Sequence, residues 1–233
     1  METITDCVIL CAGAGKRLLP LTKKIPKCLI KILGKPIIQW QVDILDKLGI
    51  TNIHIVTGYK GGMVKDYFVN HPQREVTYIH QEEQTGTADA IYLAKDFVDG
   101  EFIVLAGDTI FQENDLKRLI GKKNSLLYTK QTERLYEYGT IEFDGEKIIK
   151  IWEKSTIPVS ELVNCSAYHF DKRIFDYIPK TAIDERFGER IITNTINLML
   201  EKKIRFHGIY TDDLYEITYP KDIQEVERKL NEK

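Results

Sequence analysis

Short apolar runs alternate with helical patterns along the first half of the chain. Residues 7–11 form a continuous apolar run with glycines close behind it, which is typical of a strand that is buried on both faces and ends in a loop. After Pro36, apolar residues recur at helical spacing and stop at Gly49, which predicts a crossover helix. Further strands and helices are predicted, in alternation, at residues 53–56, 62–69, 76–79, 87–97 and 102–105. This alternation is typical of βαβ units and a parallel sheet.

The pattern changes beyond Ser125, where strand-like segments follow one another with little helix between them. These segments are residues 125–128, 139–143, 147–152 and 162–170. Asp144-Gly145 is a hairpin turn signal, and helical patterns return at residues 191–200 and from Pro220 onward. We therefore predict a single α/β domain over residues 1–233, with a mostly parallel central sheet flanked by helices and a mixed α+β second half.

The composition excludes some partners. A chain of 233 residues with 43% apolar and 29% charged content can bury one sizeable core. Its formal net charge of −2 gives no overall basic field that would collect nucleic acid or an anionic membrane. The start of the chain lacks the features of a signal peptide, no apolar run is long enough to span a bilayer, and the four cysteines form no Cys-x-x-Cys pair. We predict a cytoplasmic protein whose partner is a small molecule, with no nucleic acid and no membrane.

A glycine-rich and basic loop follows the first predicted strand. Gly-Ala-Gly-Lys-Arg at residues 13–17 lies where open α/β sheets bind ligands, and glycines let backbone N–H groups approach a phosphate. The string is neither a P-loop nor a complete dinucleotide fingerprint, so a tight turn explains the glycines equally well. Arg17 and Lys27 lie in a proline-rich segment that can fold over a polyphosphate. The ordinary alternative for both is a solvated surface charge.

Longer strings in the same region carry a family resemblance. They are residues 10–18 (Leu-Cys-Ala-Gly-Ala-Gly-Lys-Arg-Leu), 20–22 (Pro-Leu-Thr), 26–27 (Pro-Lys) and 34–38 (Gly-Lys-Pro-Ile-Ile). Together, over about thirty residues, they resemble the opening signature of the sugar-1-phosphate nucleotidylyltransferases, also called nucleotide-sugar pyrophosphorylases. The resemblance implies a Rossmann-like (GT-A-like) domain in which residues 1–125 bind the nucleotide and residues 126–233 bind the sugar phosphate.

The resemblance also implies roles for individual residues. The implied catalytic residues are Arg17, Lys27 and Asp108. The implied nucleotide-binding residues are Leu10, Ala12, Gly13, Gly15, Lys16, Arg17, Gln81, Gly86 and Thr87.

Residues 81–88 look like the family's base-recognition segment. Gln81 can both donate to and accept from uracil or thymine, and the N–H near Gly86 can reach a ring carbonyl. Guanylyl-specific relatives tend to carry a glutamate where Gln81 stands, so we expect a pyrimidine nucleotide, UTP ahead of dTTP. A polar loop before an N-capped helix would explain the shape of this segment but not its glutamines.

The implied cofactor is Mg²⁺. Asp108 ends an apolar strand, as in the family's Gly-Asp motif, where the aspartate holds the metal; a cap on the following turn is the ordinary alternative. In many relatives a second acidic ligand lies near the end of the chain. Glu216 stands at that place here, one methylene longer than the usual aspartate, so the metal geometry could shift or Asp212 or Asp213 could assist.

Four residues resemble the family's sugar-phosphate site. Gly139 matches the sugar-binding glycine, and Asn164 matches the asparagine under the sugar ring. Glu153 and Lys154 match a pair that binds sugar hydroxyls and the sugar phosphate, although a solvated ion pair is the ordinary reading of such neighbours. Ser166 stands where the family usually has glycine, which leaves the identity of the sugar open.

These motifs predict an enzyme that joins a nucleoside triphosphate to a sugar 1-phosphate, with release of pyrophosphate. A homo-oligomer is left open. One alternative is a cytidylyltransferase that acts on a phosphorylated alcohol, such as choline or inositol phosphate. Another is a regulatory paralogue that senses nucleotides without catalysis; the loss of Lys27 or Asp108 would have favoured it, and both are present.

Overall fold

The structure, a computed structural model, describes residues 4–70 and 76–232. The strands are β1 (Asp6–Cys11), β2 (Lys31–Ile32), β3 (Lys35–Pro36), β4 (Asn52–Thr57), β5 (Val76–His80), β6 (Glu101–Ala106), β7 (Thr109–Ile110), β8 (Ser125–Lys130), β9 (Gly139–Asp144), β10 (Lys147–Glu153), β11 (Leu162–Asp171), β12 (His207–Tyr210) and β13 (Tyr215–Glu216). The α-helices are α1 (Ile37–Lys47), α2 (Gly61–Asn70), α3 (Thr87–Tyr92), α4 (Glu113–Ile120), α5 (Ile174–Tyr177), α6 (Ile192–Glu201) and α7 (Pro220–Asn231). Within these described residues, no helix has both the length and the apolar character needed to cross a bilayer.

Nine strands form one central sheet in the order β5-β4-β1-β6-β11-β8-β12-β10-β9. The first four of these strands pair in parallel, as the alternating pattern of the first half predicts. Strand β11 pairs antiparallel with both β6 and β8, and the β9–β10 hairpin closes the other edge. The mixed second half therefore continues the parallel first half in a single sheet.

The core lies on both faces of this sheet. Within β1, Val8 belongs to the apolar cluster on one face, while Cys7 and Ile9 belong to the cluster on the other. All three side chains are completely buried, because helices cover both faces. Helices α3, α5 and α6 pack on the first face, and α1, α2 and α4 pack on the second.

A third, smaller cluster attaches the end of the described chain to the glycine-loop segment. Leu18 from that segment, Tyr215 from β13 and Val226 from α7 are all buried in it. Strand β13 pairs with β7, directly after Asp108. This packing brings residues near the end of the chain to the carboxyl edge of the parallel strands.

Strand β12 and helix α4 are among the elements that were absent from the prediction, and one helix is shorter than predicted. Strand β12 contains only four residues and a single fully buried apolar side chain, Ile209, so it carries too little pattern to be recognised. Helix α4 follows the sixth strand as an amphipathic segment that buries Leu116 and Leu119. The helix predicted at residues 87–97 ends at Tyr92, because the backbone then tightens into turns in which Ala94 N donates to the Ile91 carbonyl.

Candidate active site

A cleft of about 390 Å³ opens at the carboxyl ends of the parallel strands and extends onto the antiparallel part of the sheet. It is the place where open α/β sheets bind ligands. Most of the predicted site residues line it, from both halves of the chain. They are Leu10, Ala12, Gly13, Arg17, Gln81, Gly86, Thr87, Asp108, Gly139, Glu153, Lys154, Asn164 and Glu216.

The floor of the cleft is formed by two strand ends that approach closely. Gly107 N donates to the Leu10 carbonyl at 3.0 Å, and a Cβ on Gly107 would lie only 2.6 Å from that oxygen. The Ala12 carbonyl accepts from Tyr59 N at 3.1 Å and from Gln84 Nε2 at 3.2 Å. These contacts fix the backbone that leads into the glycine loop.

Gly15 and Lys16 do not line the cleft. Gly15 has φ +61°, its carbonyl accepts from Thr22 Oγ1 at 2.9 Å, and a Cβ at this position would lie 2.8 Å from the Thr22 methyl carbon. Gly15 therefore gives the loop its shape, since only glycine fits there without strain. Lys16 is exposed, and a contact of either residue with a nucleotide stays a prediction.

Lys27 lies behind the floor and contacts it through Asp108. The Lys27 Nζ and Asp108 Oδ2 atoms are 2.5 Å apart, and both side chains are largely buried. The other carboxylate oxygen of Asp108 accepts from Thr109 Oγ1 at 3.1 Å. The predicted cation and the predicted metal ligand therefore form one ion pair at the base of the cleft.

The register of β13 on β7 brings Glu216 next to Asp108. Glu216 pairs with Thr109, and Ile217 N donates to the Asp108 carbonyl at 3.0 Å. Thr218 Oγ1 donates to Glu216 Oε1 at 2.8 Å. Burial and the negative charge of Asp108 raise the pKa of the Glu216 carboxyl. Of the three acids considered at this end of the chain, Glu216 lines the cleft, whereas Asp212 and Asp213 do not.

Gln81 and Gly86, two of the predicted nucleotide-binding residues, lie together at one side of the cleft. Gln81 is buried, its N–H donates to the Thr57 carbonyl at 2.7 Å, and its side-chain Nε2 lies 3.4 Å from the Gly86 carbonyl. Gly86 has φ +120°, and a Cβ there would overlap the backbone of Arg190. Thr87 Oγ1 accepts from Ile192 N at 3.0 Å, so its hydroxyl joins α3 to the start of α6.

The β9–β10 hairpin and α6 position the predicted sugar-phosphate residues. Gly139 pairs with Glu153, and a Cβ at Gly139 would lie 2.9 Å from the Glu153 carboxylate. Glu153 Oε2 accepts from Thr193 Oγ1 at 2.9 Å, and burial raises the pKa of Glu153. Lys154 N donates to the Tyr138 carbonyl at 2.9 Å. The Lys154 Nζ atom lies 3.9 Å from Glu153 Oε1, and this side chain remains partly exposed at the cleft.

Asn164 is fixed by a tyrosine on its own strand. Its Nδ2 atom donates to Tyr168 Oη at 2.6 Å, and its Oδ1 accepts from Ser166 N at 3.3 Å. Ser166 has φ +54°, a conformation that favours glycine. Ser166 therefore adopts the backbone conformation that glycine usually provides at this position. Its side chain adds a hydroxyl at the wall of the cleft.

A family model described as nucleotidyl transferase matches residues 6–228, which is most of the chain. This chain belongs to the nucleotidyl transferase family. The match confirms the family and the fold class that the opening signature predicts.

Individual relatives agree with this membership. The chain is 40% identical, over 98% of its length, to a bifunctional protein GlmU of Methanocaldococcus jannaschii, of which the match covers 55%. It is 32% identical to the UTP–glucose-1-phosphate uridylyltransferase AglF of Haloferax volcanii, with 97% of each chain covered. The chain thus spans about half the length of the bifunctional relatives and nearly all of AglF.

The fold also matches that of a solved family structure. A UDP-glucose pyrophosphorylase complexed with UDP-glucose superposes with a TM-score of 0.87 over 98% of this chain and 99% of the other. The sequence identity is 22%, so this likeness supports the fold alone.

In this nucleotidyl transferase, the chemistry of the cleft floor suits a hard divalent cation. Among residues 4–70 and 76–232, no group of three or more His, Cys, Asp or Glu side chains is arranged to hold a metal ion. Asp108 and Glu216 would supply carboxylate oxygens from adjacent positions of the β7–β13 region, and the charge of Asp108, which raises the pKa of Glu216, favours a cation near them. Mg²⁺ commonly uses one or two carboxylates and completes its shell with water and substrate phosphates. The residues present therefore fit the implied cofactor.

Some cleft residues were not assigned a role from the sequence. Glu137, Thr193 and Glu189 all line the cleft. Tyr138 directly precedes Gly139, so that motif was a sequence signal for it, and its side chain lies close to Glu216. Glu137 lies in the turn before β9, and Thr193 lies at the start of α6. Their places in the cleft follow from how these elements pack and not from a spacing of residues along the sequence.

Proposed function

We propose that this chain is a sugar-1-phosphate nucleotidylyltransferase, which transfers a nucleotidyl group from a nucleoside triphosphate to a sugar 1-phosphate and releases pyrophosphate. One observation carries this proposal. The residues of the nucleotide half and those of the sugar-phosphate half face a single cleft, with Asp108 and Glu216 at its floor. Such a cleft can hold two polyanions next to each other, as the reaction requires.

The attacking atom in this reaction is an oxygen of the sugar phosphate. The second pKa of a phosphate monoester is about 6, so this oxygen is mostly ionised at neutral pH and needs no general base. Catalysis then depends on alignment and on neutralising the charge that develops on the α-phosphate and the departing pyrophosphate. Side chains that bind and orient phosphate, together with a bound cation, can do this work.

Each role can be given to a residue of the cleft. Arg17 and Lys27 neutralise the triphosphate, and Lys154 captures the phosphate of the sugar. Glu153, which is buried and held by Thr193, accepts hydrogen bonds from sugar hydroxyls. Asp108 and Glu216 would hold Mg²⁺, which when bound supplies positive charge to the phosphate oxygens.

The triphosphate is expected to be UTP or dTTP, with UTP favoured. Gln81 is buried beside Gly86 at one side of the cleft, where an amide can pair with the edge of a pyrimidine. The name of the Haloferax relative, which matches this chain over 97% of both lengths, supports UTP. The two bases differ by one methyl group, so the shape of the pocket wall makes the choice.

The test is pyrophosphate release in the presence of Mg²⁺, measured on a grid of substrates. UTP, dTTP, CTP, GTP and ATP are each combined with the 1-phosphates of glucose, N-acetylglucosamine, mannose and galactose, and CTP is also combined with choline and inositol phosphates. We expect turnover with a pyrimidine nucleotide and at least one sugar phosphate. Turnover with CTP and an alcohol phosphate alone would replace the proposal by the cytidylyltransferase alternative. Nucleotide binding without turnover for any combination of substrates would favour a regulatory paralogue.

A further inference from the structure

Arg17, the cation expected to bind the triphosphate, is paired with an acid of the same cleft. Its Nη1 atom lies 3.4 Å from Glu137 Oε2. The Arg17 side chain is 51% exposed, whereas that of Glu137 is only 11% exposed. The arginine is therefore the solvent-exposed member of the pair, and the glutamate is the largely buried one.

The side chain of Tyr219 also holds Glu137. Tyr219 Oη donates to Glu137 Oε1 at 2.8 Å. The guanidinium carbon of Arg17 lies 5.9 Å from the centre of the Tyr219 ring, and that of Arg134 lies 5.0 Å from it. Tyr219 is in turn held at the start of α7, where its backbone N–H donates to Asp222 Oδ2 at 2.7 Å. These contacts join the glycine-loop segment, the turn before β9 and α7 into one cluster.

Arg134 has unused hydrogen-bonding capacity in this cluster. Its Nε and Nη1 atoms are buried, and neither has a hydrogen-bond partner among the described residues. Its Nη2 atom lies 4.0 Å from Asp222 Oδ1. The positive charge of Arg134 is close enough to Glu137 to interact with it electrostatically. Glu137 would thus keep a counter-ion if Arg17 moved away.

We propose that Glu137 is a positioning residue that holds the Arg17 guanidinium at the rim of the cleft until the triphosphate takes it over. The proposal rests on the function proposed above. A triphosphate that enters the cleft offers several charged oxygens to Arg17, against one carboxylate oxygen at 3.4 Å. Arg17 then exchanges Glu137 for phosphate, while Tyr219 and Arg134 keep Glu137 in place. Glu137 therefore competes with the nucleotide for the same cation.

The first measurement is the affinity of UTP and of dTTP, each with Mg²⁺ and without a sugar phosphate, by titration calorimetry. Glu137→Gln keeps the size of the side chain and removes its charge, so we expect either triphosphate to bind roughly two- to five-fold more tightly, in the range of a partly exposed ion pair. UMP has no β- and γ-phosphates, and its affinity should change less. The conservative variant Glu137→Asp should remain near the wild type.

A double-mutant cycle separates positioning from simple repulsion. In the Arg17→Ala background, Glu137→Gln should leave the triphosphate affinity unchanged, because the residue acts through Arg17. An equal gain of affinity in both backgrounds would mean that Glu137 only repels the nucleotide, and it would overturn the proposal. Tyr219→Phe removes the hydroxyl that holds Glu137 and keeps the ring, so it should shift the affinity in the same direction as Glu137→Gln and by less.

Failure of this inference can be told apart from failure of the proposed function. If the wild type binds a triphosphate and Glu137→Gln leaves the affinity unchanged or weaker while the variant remains folded by circular dichroism, the positioning role is wrong and the proposed function stands. If neither the wild type nor any variant binds a triphosphate, the proposed function fails, and the inference fails with it.

Discussion

Two acids from distant parts of the chain share the floor of the cleft. Asp108 follows β6, and Glu216 reaches it because β13 pairs with β7. Lys27 contacts one oxygen of Asp108, and the repulsion between the carboxylates contributes to the raised pKa of Glu216. At the scale of single residues, the floor of the cleft therefore places two carboxyl groups beside the single positive charge of Lys27. Positive charge from a bound cation would relieve this imbalance.

Substitution of Asp108 tests this arrangement. Asp108→Ala should lower the Mg²⁺-dependent turnover by about a hundred-fold or more, because it removes a charged group at the reacting phosphates. The fold should remain, since Asp108 lies at the surface of a cleft and contributes no core volume. Turnover and thermal unfolding are measured together, with Asp99→Ala as the control because Asp99 is fully exposed. Unchanged turnover in Asp108→Ala would refute the metal assignment.

Gln81 carries the prediction for the base. Gln81→Glu should weaken the binding of UTP and dTTP by about ten-fold, because a carboxylate faces carbonyl lone pairs where the amide could donate a hydrogen bond. Dissociation constants for both nucleotides provide the measurement. Gln224→Glu, an identical change on the exposed face of α7, is the control. If both variants used UTP and dTTP as the wild type does, another residue would read the base.

At the scale of elements, the loop before α3 and the segment before α6 meet closely at Gly86. Its φ of +120° and the proximity of the Arg190 backbone leave no room for a side chain. Ala88 N donates to the Arg190 carbonyl at 3.0 Å, and Arg190 N donates to Thr85 O at 2.8 Å. The start of α3 is therefore attached to the segment that leads into α6, and this attachment sets the width of the cleft.

Gly86→Ala should disturb this junction. We expect it to destabilise the protein by about 2 kcal/mol or more, because the added Cβ is both strained and obstructed. Urea unfolding measures the change. In Gly62→Ala, the matched control, the Cβ points into open space within α2, so this variant should be neutral or slightly stabilising. Equal stabilities of the two variants would show that the close contact between Gly86 and the Arg190 backbone does not require glycine at position 86.

At the scale of the whole molecule, the burial of an ionisable carboxyl group in the cleft lowers the stability of the folded protein. Glu153 is buried with a raised pKa, so folding makes its ionised form less favourable. Between the pKa of the unfolded chain, about 4.3, and the higher pKa of the folded state, the folded protein binds more protons than the unfolded chain. The free energy of unfolding therefore falls as the pH rises through this window.

Glu153→Gln should remove this decline while still accepting the hydrogen bond from Thr193. We expect the urea midpoint of the variant to equal that of the wild type at about pH 4 and to exceed it at neutral pH. We also expect the variant to lose sugar-phosphate binding. Glu146→Gln, at the exposed turn of the hairpin, should follow the wild type. A constant offset between Glu153→Gln and the wild type at every pH would contradict the role of burial.

Several parts of the fold could be predicted because they repeat a local pattern. Strands β1, β4 and β6 are short apolar runs, and they are buried from both sides in a parallel sheet. The Asp144-Gly145 turn was also predictable, since the φ of +57° at Gly145 is one that a hairpin turn requires and glycine readily adopts. Strand β12 was not predicted, because its position in the sheet is set by the neighbouring strands β8 and β10 and not by a pattern within its own four residues.

The family, the α/β class and about half of the residues that line the cleft could be predicted from the sequence, because the glycine loop and the strand-end acid are contiguous strings. The tertiary structure showed that Glu216, and not Asp212 or Asp213, joins Asp108 in the cleft, since this depends on the register of β13 on β7. It alone paired Lys27 with Asp108 and Arg17 with Glu137, which are far apart along the chain. The physical reason is that such contacts arise from the packing of separate elements, which no local spacing records.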